Sequence, residues 1–168
     1  MRRLFALDQN FPQPIVDALA EYIIEAELVP IAQVDERLAT LDDWEVMLAL
    51  HHHGRPWDGL ITTDANMLAL PRELAVLMQT KLTLVVAKES GHDPIKATGL
   101  LLAYLPGICQ RIEQDKAQLW TLRAVQRPAD DPWDSFQRVA RQRKTTAPKL
   151  YAANKLSSEE ISRDPLGS

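Results

Sequence analysis

The stretch that decides the fold runs from residue 59 to residue 87 and reads GLITTDANMLALPRELAVLMQTKLTLVVA. It opens on Gly59-Leu60-Ile61-Thr62-Thr63, a short apolar and β-branched run closed by the carboxylate of Asp64. Pro71 presets a first helical turn, and Leu74, Leu77 and Met78 then recur at helical spacing. Lys81-Leu82-Thr83-Leu84-Val85-Val86-Ala87 follows and is the clearest strand in the chain. Strands this apolar are buried on both faces, and two of them joined through a helix make a parallel β-α-β unit.

Working outward, the pattern repeats. Residues 4–8 form a short apolar run ending in Asp8, and Pro12 or Pro14 starts a helix marked by Ile15, Ala18, Leu19, Tyr22 and Ile23. Residues 28–34 read as a second strand. From Asp43, a stripe of Val46, Met47 and Leu50 extending toward His51 predicts a helix stopped by Gly54 and Pro56. Asp93-Pro94 reads as an N-cap followed by proline at the first helical position. The helix it opens carries Leu101, Leu102, Leu105, Ile108 and Ile112, and Pro106 is expected to bend or break it. Residues 119–125 read as a last strand and 132–144 as a last helix, and the polar end from Ser157 is expected to fray. The fold class is therefore α/β, a three-layer α/β/α sandwich around a mainly parallel sheet over residues 1–127. A C-terminal helix and a basic, partly flexible tail complete the chain over 128–168.

Composition narrows the classes. With 46% hydrophobic and 25% charged residues, the chain suits an ordinary soluble domain, and wholesale disorder is excluded. One cysteine, Cys109, excludes an internal disulfide and a Cys-rich zinc site, and its apolar neighbours over 105–112 mark it as core. The basic start Arg2-Arg3 leads into only four apolar residues, too few for a secretory signal. No run approaches the roughly 18 apolar residues that span a bilayer. A cytoplasmic protein without membrane contact is the expectation.

The formal charge of −4 hides an asymmetry. Residues 1–100 hold 8 basic and 15 acidic side chains, whereas residues 101–168 hold 11 and 8. Arg138, Arg141, Arg143, Lys144, Lys149 and Lys155 all fall within 136–155, which contains no acid. A solvated helix face accounts for such a run, and so does a polyanion partner.

Ligands of open parallel sheets bind in the crevice beyond the carboxyl ends of the strands, which is where Asp8 and Asp64 would stand. If their strands are neighbours, about 4.8 Å apart, the carboxylates repel, and a hard cation such as Mg²⁺ relieves them. A third acid can come from a helix start, where Asp43 or its neighbour Asp42 is placed. For an isolated strand-end aspartate a turn or cap role is the ordinary explanation; two such ends plus a helix-start acid point to a site. His51-His52-His53 would point about 100° apart on a helix, so they read as a helix C-terminus favoured by the dipole rather than as one chelate. Lys88, Ser90 and His92 follow a strand at the same rim, where one of them could touch a substrate phosphate. Trp44, Trp57, Trp120 and Trp133 have no common spacing and read as packing residues.

Three segments carry a family resemblance. Leu7-Asp8-Gln9-Asn10-Phe11-Pro12 resembles the "Asp-x-Asn-[aromatic or Leu]-Pro" start of PIN-like nuclease domains, in the short branch related to VapC-type toxins. Asp43-Trp44-Glu45-Val46-Met47 resembles their helix-borne acid followed by an apolar pair, and Ile61-Thr62-Thr63-Asp64-Ala65-Asn66-Met67-Leu68 their "Thr-x-Asp-x-Asp-[aromatic]" segment. The resemblance covers about residues 4–90 in the right order. It implies a metal-dependent ribonuclease in which Asp8, Asp43 and Asp64 hold Mg²⁺ or Mn²⁺, which activate water against an RNA phosphodiester. The fourth family acid falls at Asn66, whose amide oxygen can ligate but adds no charge. Asn10 and Asp93 are the candidates for support from the side, each with a turn or cap role as its alternative. Lys88, Arg138, Arg141, Arg143 and Lys144 are the candidates for RNA contact. The expected partners are RNA, an antitoxin protein and a second copy of the chain.

Three functional classes compete. The first is a metal-dependent endoribonuclease, favoured by the ordered acids and the basic arm. The second is a catalytically degenerate PIN-like module that binds RNA or protein, favoured by Asn66. The third is a phosphoacceptor domain, which also places an aspartate after its first strand. A receiver wants paired acids there and a dehalogenase wants Asp-x-Asp, whereas this chain has Asp8-Gln9-Asn10.

Overall fold

A computed structural model of the chain describes residues 2–9, 11–88, 93–123 and 128–167; Asn10, Ser90 and His92 lie outside these. Five parallel strands form one sheet: β1 (Arg3–Leu7), β2 (Ala26–Pro30), β3 (Gly59–Thr62), β4 (Thr83–Ala87) and β5 (Gln118–Leu122), in the order β2-β1-β3-β4-β5. The helices are α1 (Gln13–Tyr22), α2 (Ile31–Val34), α3 (Asp43–His52), α4 (Pro71–Thr80), α5 (Pro94–Cys109), α6 (Pro132–Gln142), α7 (Ala147–Asn154) and α8 (Ser158–Ser162).

Alternation along the strands separates two cores. Phe5, Leu7, Ile61, Val85 and Trp120 face α1 and α5, meeting Val16, Leu19, Leu101, Leu105 and Ile108. Leu4, Ala6, Leu60, Leu84 and Val86 face the other way, against Met47 and Leu50 of α3, Leu74 and Leu77 of α4, and Phe136 and Val139 of α6. These are the three layers expected of strands apolar on both faces. Gly59 lets β3 approach β4 closely, since a Cβ there would stand 1.8 Å from the Thr83 carbonyl oxygen.

The crossovers differ in hand. β1 to β2 moves one way over α1, while β2 to β3 and β3 to β4 move the opposite way over α3 and α4 on the opposite face. These three share one hand, which the bias of parallel units makes right-handed. β4 to β5 continues outward but passes over α5 on the α1 face, and so has the other hand. The exception has a packing reason. Without α5, the α1 face of β3, β4 and β5 would lie bare.

Several sequence expectations need correction. The second strand stops at Pro30, and Ile31–Val34 is helical instead. Proline cannot donate to a ladder, and it sits at the end of an edge strand, where that omission is tolerated. Pro106 does not break α5. It lies in the last turn, where one backbone bond is forfeited while Leu105, Ile108 and Cys109 stay buried. The last strand ends at Leu122, and residues 124–127 lie outside the described set.

The segment expected to fray from Ser157 carries α8, whose Ser157 hydroxyl accepts the Glu160 N–H at 3.1 Å. Gln79 brackets Leu156 with two hydrogen bonds, His52 Nε2 meets the Ile161 carbonyl at 2.7 Å, and Arg37 donates to the Leu166 carbonyl. The polar composition of this stretch conceals the apolar side chains that dock it, Leu156, Ile161 and Leu166.

Candidate functional site

Two strand ends and two helix starts build the candidate site. Strand travel reverses between β2 and β3, which leaves β1 and β3 side by side at the switch point of the sheet. In such sheets the crevice lies at the carboxyl ends of those two strands. Asp8 is the first residue past β1, and its N–H donates to the Ile61 carbonyl at 2.9 Å, carrying the pairing one residue beyond the strand.

Thr62, the fully buried last residue of β3, links the two acids. Its hydroxyl donates to Asp8 Oδ2 at 2.6 Å and accepts the Asp64 N–H at 3.0 Å. An amide can only donate, so the single hydroxyl proton is directed to Asp8, at a length typical of a charge-assisted O–H···O⁻ bond. Asp64 Oδ1 accepts the Asn66 N–H at 2.9 Å and so opens the 3₁₀ turn Ala65–Ala69. The strand was expected to run to Asp64, but it ends at Thr62, because this side-chain bond replaces the ladder.

Asp43 comes to the same place from the first position of α3, behind the N-cap residue Asp42. Burial comes first, then the charges of Asp8, Asp64, Glu73 and Asp42, and together they push its carboxyl up to about 6. The three predicted acids therefore converge closely enough to feel one another. They share an electric field rather than a ligand shell. Among the described residues, no three His, Cys, Asp or Glu side chains stand together as a ready ion cage. As a donor set they offer carboxyl oxygens, the ligand class that a hard divalent cation takes.

Sequence reasoning missed Glu73. It lies in the first turn of α4, and its carboxyl is raised by burial and then by the charge of Asp42. Helices that follow parallel strands begin at the carboxyl rim, so counting acids in every first turn, and not only after Asp42, would have found it. Glu73, rather than Asp93, is the extra acid felt by Asp43. Asp93 caps α5, accepting the N–H groups of Ile95 at 3.0 Å and Lys96 at 3.3 Å. Asn66 is exposed, and Lys88 follows β4 at the rim, half-buried.

The remaining features sort simply. The three histidines end α3 as expected. Cys109 is buried, which pushes its thiol up to about 11 and leaves it inert as a nucleophile. A cleft of about 780 Å³, lined by His51, His53, Arg55, Trp57 and Lys81 among others, opens at the amino edge of the sheet. Volume and chemistry thus lie at opposite ends. The chemistry is the better guide, because ion pairs already fill the cleft walls: Arg3–Asp58 and Arg55–Glu27.

The basic arm is tied to the rim by its path. Asp130 pairs with Leu119 near the amino end of β5, α6 then packs on α4 and reaches the Ala65–Ala69 turn, and Leu156 after α7 returns to Gln79 near the end of α4. So α6 climbs toward the rim and α7 descends from it. Arg138, Arg141, Arg143 and Lys144 are all exposed. No helix among the described residues is long and apolar enough to cross a membrane. The chain matches no protein-family model, no curated protein and no solved structure.

Proposed function

We propose that the chain is a metal-dependent endoribonuclease of PIN-like type that hydrolyses RNA phosphodiesters at the carboxyl rim of its sheet. The observation that carries this reading is the convergence of Asp8, Asp43 and Asp64 from two neighbouring strand ends and a helix start, with Asp43 held at about 6 by burial and by the other two charges. A strongly shifted carboxyl at a switch point, with other acids close by, is a recurrent sign of a functional site. Asp8, Asp43 and Asp64 would hold Mg²⁺ or Mn²⁺, with Asn66 offering an amide oxygen. When bound, such an ion supplies an activated water and stabilises charge on the departing oxygen. The chain's own contributions are distinct: Thr62 orients Asp8, Asp64 anchors the turn that carries Asn66, and α6 offers cations to the RNA strand. The sequence resemblance suggests a toxin restrained by an antitoxin protein as the setting.

A second reading, a degenerate module that binds RNA without cutting it, is favoured by Asn66 and by the absence of a ready ion cage among the described residues. One assay separates the two. Wild type, Asp64→Asn and Asn66→Asp are compared on labelled RNA across Mg²⁺ and Mn²⁺ concentrations, with EDTA controls and melting temperatures in the same buffers. The nuclease reading expects cleavage that EDTA abolishes, a loss of about 100-fold or more in Asp64→Asn, and a melting temperature that rises with metal by mass action. Cleavage surviving both EDTA and Asp64→Asn overturns it. Silence from wild type in either metal, with Asn66→Asp active, selects the degenerate binder.

A further inference from the structure

We infer that the corner between α6 and α7 is a phosphate-binding surface for an RNA strand, formed by Arg141, Arg143, Lys144 and Lys149 and flanked by Arg138 and Lys155. The inference rests on the ribonuclease reading only for the identity of the polyanion. The surface itself follows from charge and helix geometry.

The first observation is pairing. Among the described residues, no ion pair engages any of the six cations between 136 and 155, and what sets them apart from other unpaired cations is their density in a segment without an acid. The second observation concerns the helix ends. Cations at the C-terminus of α6 complement its dipole, so Arg141 alone would pass as helix stabilisation. Lys149 would not. It sits in the first turn of α7, at the positive end of that dipole, and that turn holds no acid. Arg143 is the C-cap of α6, and Lys144 follows it in the short link to α7. The two helix dipoles meet here with opposite signs and offset each other, so the four cations, gathered without an acid among them, set the sign of the corner and attract anions. The third observation is position: α6 packs against the turn that follows Asp64, on the rim side of the sheet.

An acidic protein partner fits less well. Protein interfaces are anchored by buried aromatic and aliphatic side chains, and of the exposed large hydrophobics Tyr22, Ile24, Leu70, Ile95 and Leu102 none lies on α6 or α7. A nucleic-acid backbone needs no such anchor, since phosphate contacts supply sequence-independent affinity.

The test measures binding without cleavage. The full-length protein is titrated against a fluorescein-labelled single-stranded RNA in EDTA at several salt concentrations, with poly-glutamate as competitor. Arg141→Gln, Arg143→Gln and Lys149→Gln are combined in one variant. Arg163→Gln, whose cation already pairs with Glu159, is the control for simple charge loss. The combined variant should bind about tenfold or more weakly, with a salt slope shallower by about 2, at roughly 0.7 per lost phosphate contact. Its circular dichroism and melting temperature should match wild type within a few degrees, because all three positions are exposed. An unchanged affinity and slope overturns the surface even if wild type cleaves RNA. Weakened binding in a protein that never cleaves leaves the surface standing and removes the nuclease. Equal competition by poly-glutamate and RNA, mass for mass, removes RNA as the occupant.

Discussion

The two edges of the sheet treat charge in opposite ways. At the amino edge, Arg3 donates to the Cys109 carbonyl at 3.2 Å, to Asp58 at 3.1 Å and to the Ile112 carbonyl at 3.0 Å. Asp58 in turn accepts the Leu4 N–H at 2.8 Å, so one ion pair fastens the end of α5 to β1 and to the start of β3. At the carboxyl edge, burial and then the charges of Asp8 and Asp64 push the Asp43 carboxyl up, while Asp8 accepts from the Thr62 hydroxyl and Asp64 from the Asn66 N–H. One edge is built for stability. The other keeps like charges together at the place where the fold presents ligands.

The largest test of this contrast is Arg3→Ala. Side-chain exposures of 25% and 21% mark the Arg3–Asp58 pair as mostly desolvated, and removing one partner of such a pair strands the other. The expected loss is about 3 kcal/mol. For a chain of this size that is about 8 °C in melting temperature, measured by calorimetry at neutral pH. A variant as stable as wild type would show that the amino edge is no more stabilising than the rim.

A smaller effect is expected from Thr62→Val, which keeps the shape and β preference of the side chain and deletes the hydroxyl. Asp8 then loses a charge-assisted donor, and the Asp64 amide loses its acceptor. The loss should be about 2 kcal/mol, with Thr62→Ser recovering most of it. If valine is neutral, the hydroxyl does not hold the two strand ends in register, and the rim acids owe their convergence to the backbone alone.

How much of this was legible beforehand follows from range of interaction. The strands at 59–62 and 83–87 declare themselves through local apolar runs, and their parallel pairing follows from the helix between them. Asp8 and Asp64 were legible because a strand end is a local signal, and Asp43 because a capped helix start is one too. Thr62 was visible only as part of a motif. Its role needs Asp8 opposite it, 54 residues away. Glu73 escaped for the same reason: its link to Asp43 exists only once α3 and α4 pack side by side. The opposite hand of the β4–β5 crossover and the docking of Leu156, Ile161 and Leu166 are decided by which surfaces remain uncovered, a property of the assembled layers.

The smallest and sharpest test is Asp43→Asn. The folded carboxyl titrates at about 6, against about 3.9 in an unfolded chain. Below pH 4 both states are protonated and the site is neutral to stability. Between pH 4 and 6 the folded state keeps a proton that the unfolded chain releases, so stability falls as pH rises through this window and stays lower above it. Two pH units correspond to about 3 kcal/mol. Half-exposure screens much of that, and an ionised residue at a helix start gains a little from the dipole, leaving about 1 kcal/mol. Asp43→Asn should therefore raise the melting temperature by about 3 °C at pH 7.5, and the gain should shrink toward zero by pH 4. His51 works in the opposite direction, since burial holds its imidazole below the ordinary value, but it is present in both proteins and cancels from the difference. Thermal melts of the pair from pH 4 to 8 decide the matter. A gain that ignores pH, or no gain at all, would mean that burial and the neighbouring charges do not hold the Asp43 carboxyl up, and the contrast between the two edges would disappear.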